Sequence, residues 1–170
     1  MTKPSSIVPA LLACALAACA GTGSSGKAAS QQQAPATSPV DAATQLPRYH
    51  WKLQDARASD GGRIDALFAR DDKPLTLDFA DGRVSVRNAC NGIGGNYALD
   101  GDTLTFGPMM GTMMACADPR LTALDGAVTT RLTGKARIAL DAGASPALKI
   151  TTVGGDILTF AGEPVAPAKG

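Results

Sequence analysis

The chain is poor in the residues on which most enzyme chemistry rests. His50 is the single histidine among 170 residues, which leaves no HExxH zinc motif and no second imidazole for a metal cage or a proton relay. No nucleophile elbow is present, and no Cys-His pair is expected to be reduced. Charge of one sign is also missing. Lys3 is the only one of 16 basic residues in the N-terminal segment, so removing that segment leaves 15 against 15 acidic residues. A chain this close to neutrality, without runs of like charge, argues against nucleic acid, whose binding rests on neutralising many phosphates. Asp60, Asp65, Asp71 and Asp72 cluster with glycine and lysine and read as solvated loop residues, not as a paired acid and base. His50, beside Trp51, reads as a strand residue. No catalytic residue, metal ligand or cofactor is assigned.

No apolar run is long enough to cross a bilayer either. The longest, Ile7 to Ala18, follows Lys3 and reads as a targeting segment over residues 1–19. It ends in Leu16-Ala-Ala-Cys19, which resembles a bacterial lipobox: small residues suit the signal peptidase, and the Cys19 thiol would receive the lipid. Cys14 competes weakly, because its preceding apolar run is shorter. An ordinary secreted protein cleaved after an Ala-x-Ala site is the alternative. Ala20, not Asp, follows Cys19, which resembles the signal for outer-membrane delivery in Gram-negative lipoproteins. Residues 20–48 contain almost no large apolar side chain and are expected to form a disordered tether, spanning on the order of 30 Å root-mean-square. Residues 164–170 are expected to form a loose tail.

What is present between these ends is period two. In Leu75 to Val86 an Asp81-Gly82 pair separates two alternating runs, the strongest short-range hairpin signal. A loop of these two residues sets Phe79 against Val84, Leu77 against Val86 and Asp78 against Ser85. Asp100-Gly101 repeats the device and is expected to oppose Tyr97 to Leu104 and Gly95 to Phe106. Near the C-terminus, a three-residue loop from Val153 pairs Ile150 with Leu158 and Leu148 with Phe160, with a left-handed glycine in the loop. Trp51 to Leu53 and Arg137 to Leu140 add further strands. One segment has another period: after the N-cap Asp118 and Pro119, Leu121, Leu124, Val128 and Leu132 recur at helical spacing until Gly134.

The stretch from Val84 to Cys116 concentrates the remaining chemistry. Cys90 and Cys116 are the cysteines left if the N-terminal segment carries the others to processing and acylation, and an exported chain meets an oxidising compartment. They are expected to pair, two buried free thiols being the alternative. The closed loop of about 27 residues corresponds to roughly 3.5 kcal/mol in the chain-entropy model. Asn91-Gly-Ile-Gly-Gly95 lacks the Lys and Ser/Thr of a phosphate loop; its glycines suit tight turns or a bulge, and Asn91 is expected to cap that turn. Met109, Met110, Met113 and Met114 precede Cys116. Thioethers suit Cu(I), but methionine more often fills cores or forms an adaptable contact surface.

The order Trp51-x-Leu53, Leu77 to Val86, Cys90-Asn91 with Gly95 and Tyr97, Leu104-x-Phe106, Thr112-Met-Met114-Ala-Cys116-Ala-Asp-Pro119 and Leu158-x-Phe160 resembles the META domain family, which includes heat-shock protein HslJ and many small lipoproteins. The family motif falls on Asn91, Gly95, Tyr97, Thr112 and Met114, within a domain of residues 49–163. The resemblance implies a mainly β fold, an antiparallel meander curled into a partly open barrel with one packed α-helix. It departs in two places: no glycine occurs in Val86 to Ala89, and the acidic residue of the helix is Asp125 where glutamate is more usual. It implies envelope-stress and antibiotic-tolerance roles, with no established enzyme activity. The expected function is therefore a non-enzymatic, lipid-anchored module on the periplasmic side of the outer membrane. Its partner is an unknown envelope protein or hydrophobic ligand, met through Met109, Met110 and Met113. The alternative is a small-ligand or copper-type barrel, with Tyr97 and Thr112 as neutral inward residues; an interior filled by Leu77, Phe79, Leu104, Phe106 and Phe160 counts against it.

Overall fold

The computed structural model describes residues 39–70 and 72–166. The targeting segment with Cys19, most of the tether, Asp71 and the last four residues lie outside them. Eight antiparallel strands close a ring in chain order: β1 (Tyr49–Arg57), β2 (Thr76–Ala80), β3 (Arg83–Arg87), β4 (Ile93–Asp100), β5 (Thr103–Phe106), β7 (Gly134–Asp141), β8 (Ala147–Thr152) and β9 (Ile157–Pro164). A short strand, β6 (Met110–Gly111), pairs with β4 outside the ring. The expected meander with one packed helix is present, and its seam is closed. The start of β4 pairs with β3 through Val86↔Ile93 and Val84↔Gly95, its end pairs with β5, and β1 pairs with β9 along its length.

Alternation of side chains builds the core. β3 buries Val84 and Val86 between exposed Arg83, Ser85 and Arg87, and β7 buries Ala136, Ile138 and Leu140 in the same way. Leu77, Phe79, Leu104, Phe106 and Phe160 are each 3% exposed or less, so the interior at these positions is packed side chain, not ligand space. Apolar area removed from water at roughly 25 cal/mol per Å² makes this packing the main favourable contribution to stability.

The Asp81-Gly82 hairpin has the expected register, with positive φ at both loop residues as a type I′ turn requires. The last hairpin does too: Ile150↔Leu158 and Leu148↔Phe160 pair, Thr152 N–H donates to Asp156 O at 2.9 Å, and Gly155 has φ 87. The middle hairpin differs. Its loop is Gly101-Asp102, so Tyr97 opposes Phe106 and Leu99 opposes Leu104, a shift of two residues from the expected register. Positive φ is needed at Gly101 alone, and Asp102 O accepts the Ile138 N–H at 2.7 Å. Gly95 faces Val84 of β3 instead of Phe106. A two-residue shift keeps every side chain on its face, which is why alternation could not exclude it.

The tether ends earlier than its composition suggested. Pro39–Gln45 form a helix, α1, followed by a 3-10 turn, Leu46–Arg48. Ala42 and Leu46 are buried, and the Trp51 indole N–H donates to Leu46 O at 2.9 Å. A polar-looking segment is thus held by one fully buried leucine and one indole hydrogen bond. Val165 N–H donates to Arg48 O at 2.9 Å, tying down the start of the tail as well.

Because neighbouring strands are antiparallel, successive connections alternate between the two ends of the barrel. One end receives α1 and the two tight turns at Asp81-Gly82 and Gly101-Asp102. The opposite end collects the β1–β2 connection, the Cys-Asn loop, the methionine segment, the β8–β9 turn and a second helix, α2 (Pro119–Arg131). In α2, Asp118 caps the N-terminus by accepting the Arg120 N–H at 2.9 Å, and Leu124, Val128 and the terminal Leu132 enter the core.

Candidate functional site

Three of the family-motif residues, Asn91, Thr112 and Met114, meet at the α2 end of the barrel. β3 stops at Arg87, and the chain turns through Asn88, whose φ of 66 is the left-handed conformation for which glycine is the default. The stretch that lacks the family's glycine therefore uses asparagine, which tolerates that conformation, and Asn88 Nδ2 donates to Pro74 O at 2.9 Å. Cys90 and Asn91 follow. Cys90 is bridged to Cys116, with the two Cα atoms 6.1 Å apart, so the expected disulfide is present.

Asn91 does not cap its own turn; it joins three segments. Its Oδ1 accepts the Thr112 hydroxyl at 2.8 Å and the Met114 N–H at 2.7 Å, and its Nδ2 donates to Asp125 Oδ2 at 2.8 Å. Asp125 also accepts the backbone N–H groups of Cys90 at 3.0 Å and Asn91 at 3.1 Å. Gly92 N–H donates to the Thr112 hydroxyl at 3.2 Å, and Thr112 N–H returns to Gly92 O at 3.1 Å. The side chain that could have satisfied a local turn is used instead for long-range contacts, because β6 brings Thr112 and Met114 within its reach. Asp125 is the residue that sequence reasoning undervalued. It lies four residues after Leu121 and three before Val128, on the apolar stripe of α2, where a charge signals a polar partner across the packing interface.

The methionines divide into two kinds. Met109 is half-buried against the core, over Gly95; a Cβ at Gly95 would lie 2.8 Å from Met109 Sδ and 2.9 Å from Pro108 O, so the motif glycine is required by close approach. Met109 is thus a filler, contrary to its expected place on the contact surface. Met110, Met113 and Met114 are 73%, 99% and 61% exposed. Met113, Met114 and Ala115 form one side of an open groove of about 540 Å³, with Thr122 and Gly126 of α2 on the other and Asn91, Thr112 and Asp125 in it. These polar groups are engaged with one another, so the groove offers apolar surface and thioethers over a hydrogen-bonded floor.

Tyr97 packs edge-on against Phe79 with centroids 5.1 Å apart, and burial, followed by the charge of Asp81, raises its phenol above the ordinary value. Thr112 is exposed and points to Asn91, not into the barrel. His50 contacts Asp78 at 2.5 Å, and Arg87 pairs with the same carboxylate. It belongs to a polar group on β1, β2 and β3, away from the methionines.

The fold is similar to that of an NMR structure of a protein from Burkholderia xenovorans, with a TM-score of 0.64 and 29% identity over 79% of this chain and 94% of that chain. A second protein structure solved by NMR is 25% identical over 69% of this chain and 92% of that chain, with a TM-score of 0.49. No curated protein matches the chain. The META domain model matches residues 44–164, starting ahead of Tyr49 and inside α1, which accords with the ordered Leu46. By that match, and by the Cys-Asn and Thr112-to-Cys116 segments joined through Asn91 and the bridge, the chain belongs to the META domain family.

Proposed function

We propose that this chain is a membrane-anchored envelope lipoprotein whose META domain is a non-enzymatic binding module, engaging an envelope protein or hydrophobic ligand under stress or antibiotic exposure. The observation that carries the reading is the groove beside Met113 and Met114. Monomeric proteins rarely leave adjacent large apolar side chains this exposed without a use for them, and methionine is suited to adaptable contact. The groove lies at the barrel end opposite α1, the side on which the chain leaves for its N-terminal tether. Cys19 would carry the anchor. Two or more acyl chains, each methylene worth ~0.8 kcal/mol, make such anchoring effectively permanent.

The small-ligand reading survives only on the outside of the barrel, because the interior positions expected to decide it are filled. Intact mass of protein taken from membranes tests the anchor: acyl chains on a mature N-terminal Cys19 are expected, and an unlipidated mass rejects it. For the groove, a photocrosslinking residue at position 113 is expected to form discrete adducts in cells. The Met110→Ser/Met114→Ser background should lose them while its stability stays within about 0.5 kcal/mol of the parent. Met109→Ser should instead cost about 1 kcal/mol or more, since it uncovers core surface. An adduct pattern indifferent to the exposed methionines would remove this surface from the proposal.

A further inference from the structure

We propose that the Cys90–Cys116 bridge is the masked form of a zinc site, and that its reduction releases a Cys90, Cys116 and Asp125 ligand set for one Zn²⁺. The two sulfur atoms and a carboxylate oxygen of Asp125 already lie within 4.8 Å of one another. Around a tetrahedral zinc, with Zn–S near ~2.3 Å and Zn–O near ~2.1 Å, ligand atoms are separated by roughly 3.3–3.8 Å. Opening the sulfur–sulfur bond and drawing the carboxylate in by about an ångström reaches that arrangement. The Cα–Cα distance of 6.1 Å leaves room for the sulfurs to part without moving the backbone far.

Charge supports the assignment independently of distance. Asp125 accepts three N–H donors, from Cys90, Asn91 and the Asn91 amide, yet no cationic side chain among the described residues forms an ion pair with it. Two thiolates formed beside this half-buried carboxylate gather three negative charges in one place. A divalent cation offsets them, and borderline-soft zinc accepts both sulfur and oxygen. The same N–H donors that orient Asp125 now would orient it as a ligand, the usual role of groups behind a metal's own ligands. A fourth position would take water.

The chemistry balances with a dithiol reductant. Its thiolate attacks one sulfur of the bridge, giving a mixed disulfide. Its second thiol resolves that intermediate, leaving the reductant as a disulfide and Cys90 and Cys116 as two thiols, which have gained two electrons and two protons between them. Zinc binding then releases the two thiol protons to solvent. Cys90 and Cys116 are both partly exposed, so such a reductant can reach them.

The test uses the full chain in detergent, with Cys14→Ser and Cys19→Ser so that the bridge supplies the only thiols. After reduction with a phosphine and exclusion of oxygen, Zn²⁺ is titrated against a chromophoric chelator, with circular dichroism recorded throughout. One zinc per reduced chain and none per oxidised chain is expected, and Asp125→Asn should weaken binding at least tenfold. Zinc-edge X-ray absorption, which does not depend on any variant folding, should show two sulfur neighbours and two oxygen neighbours. Equal uptake by oxidised and reduced chains, equal affinity of the parent and Asp125→Asn, a shell without two sulfurs and two lighter atoms, or a reduced chain that zinc cannot hold in its β fold would each overturn the proposal.

Discussion

Asn91 accepts from Thr112 and Met114 and donates to Asp125, so one amide joins the loop after β3, the segment around β6 and the middle of α2. An amide suits this position because it offers donor and acceptor at once; a carboxylate offers acceptors only. Asn91→Asp would set a second carboxylate against Asp125 across what is now a 2.8 Å hydrogen bond. We expect it to cost about 2 kcal/mol or more at neutral pH, and to recover part of that loss in acid, where two facing carboxylates come to share one proton. Chemical denaturation of parent and variant at neutral and acid pH measures it; a loss independent of pH would remove the carboxylate repulsion from the account. The motif marked Asn91 as important, but its partners are 21 to 34 residues away. A local turn was the nearest partner visible in the chain, and only packing brought the distant ones closer.

At the scale of elements, α2 was the easiest to read, since an Asp118 cap, Pro119 and apolar residues at helical spacing are all local features. Gly126 is the exception within it. A Cβ there meets nothing within 4 Å, and the residue is exposed. Gly126→Ala should therefore stabilise the domain by roughly 0.5–1 kcal/mol and raise the melting temperature by a few degrees; a fall would show that the groove edge needs the bare backbone. The cap has a pH signature. The Arg120 side chain first, and the Arg120 N–H second, hold the Asp118 carboxyl below the ordinary carboxylate value. A lowered folded value means that the stabilisation is present above the unfolded value of about 3.9 and is lost as pH falls through the folded one. The melting temperature of Asp118→Asn is thus expected to lie below the parent at pH 7 and to converge with it in acid. A constant gap from pH 7 to pH 2 would assign the effect to shape, not charge. The β4–β5 hairpin shows the opposite kind of legibility: its faces were correct and its register was displaced by two, because the competing contacts to β3 and β7 lie outside the hairpin.

For the molecule as a whole, the closed ring and the Cys90–Cys116 bridge tie together segments distant in the chain. The bridge closes a loop across a separation of 26 residues. Reduction should lower the unfolding free energy by roughly 3 kcal/mol in metal-free buffer, read as a shift in the urea midpoint of the chain with and without reductant. A shift under about 1 kcal/mol would mean that residual structure already confines the loop's ends in the unfolded chain. What could be read from the residues in order was whatever depends on near neighbours: alternation, turn chemistry at Asp81-Gly82 and Gly155, the capped helix, and a pair of cysteines suited to a bridge. Three-dimensional packing settled the rest. It closed the seam between β3 and β4, buried Leu46 beneath the Trp51 indole, placed Asp125 beside the bridge, and covered Met109 while leaving Met113 in solvent. Each of these depends on distances between residues far apart in sequence. Period and propensity constrain which face a side chain takes, but not which distant segment will lie against it.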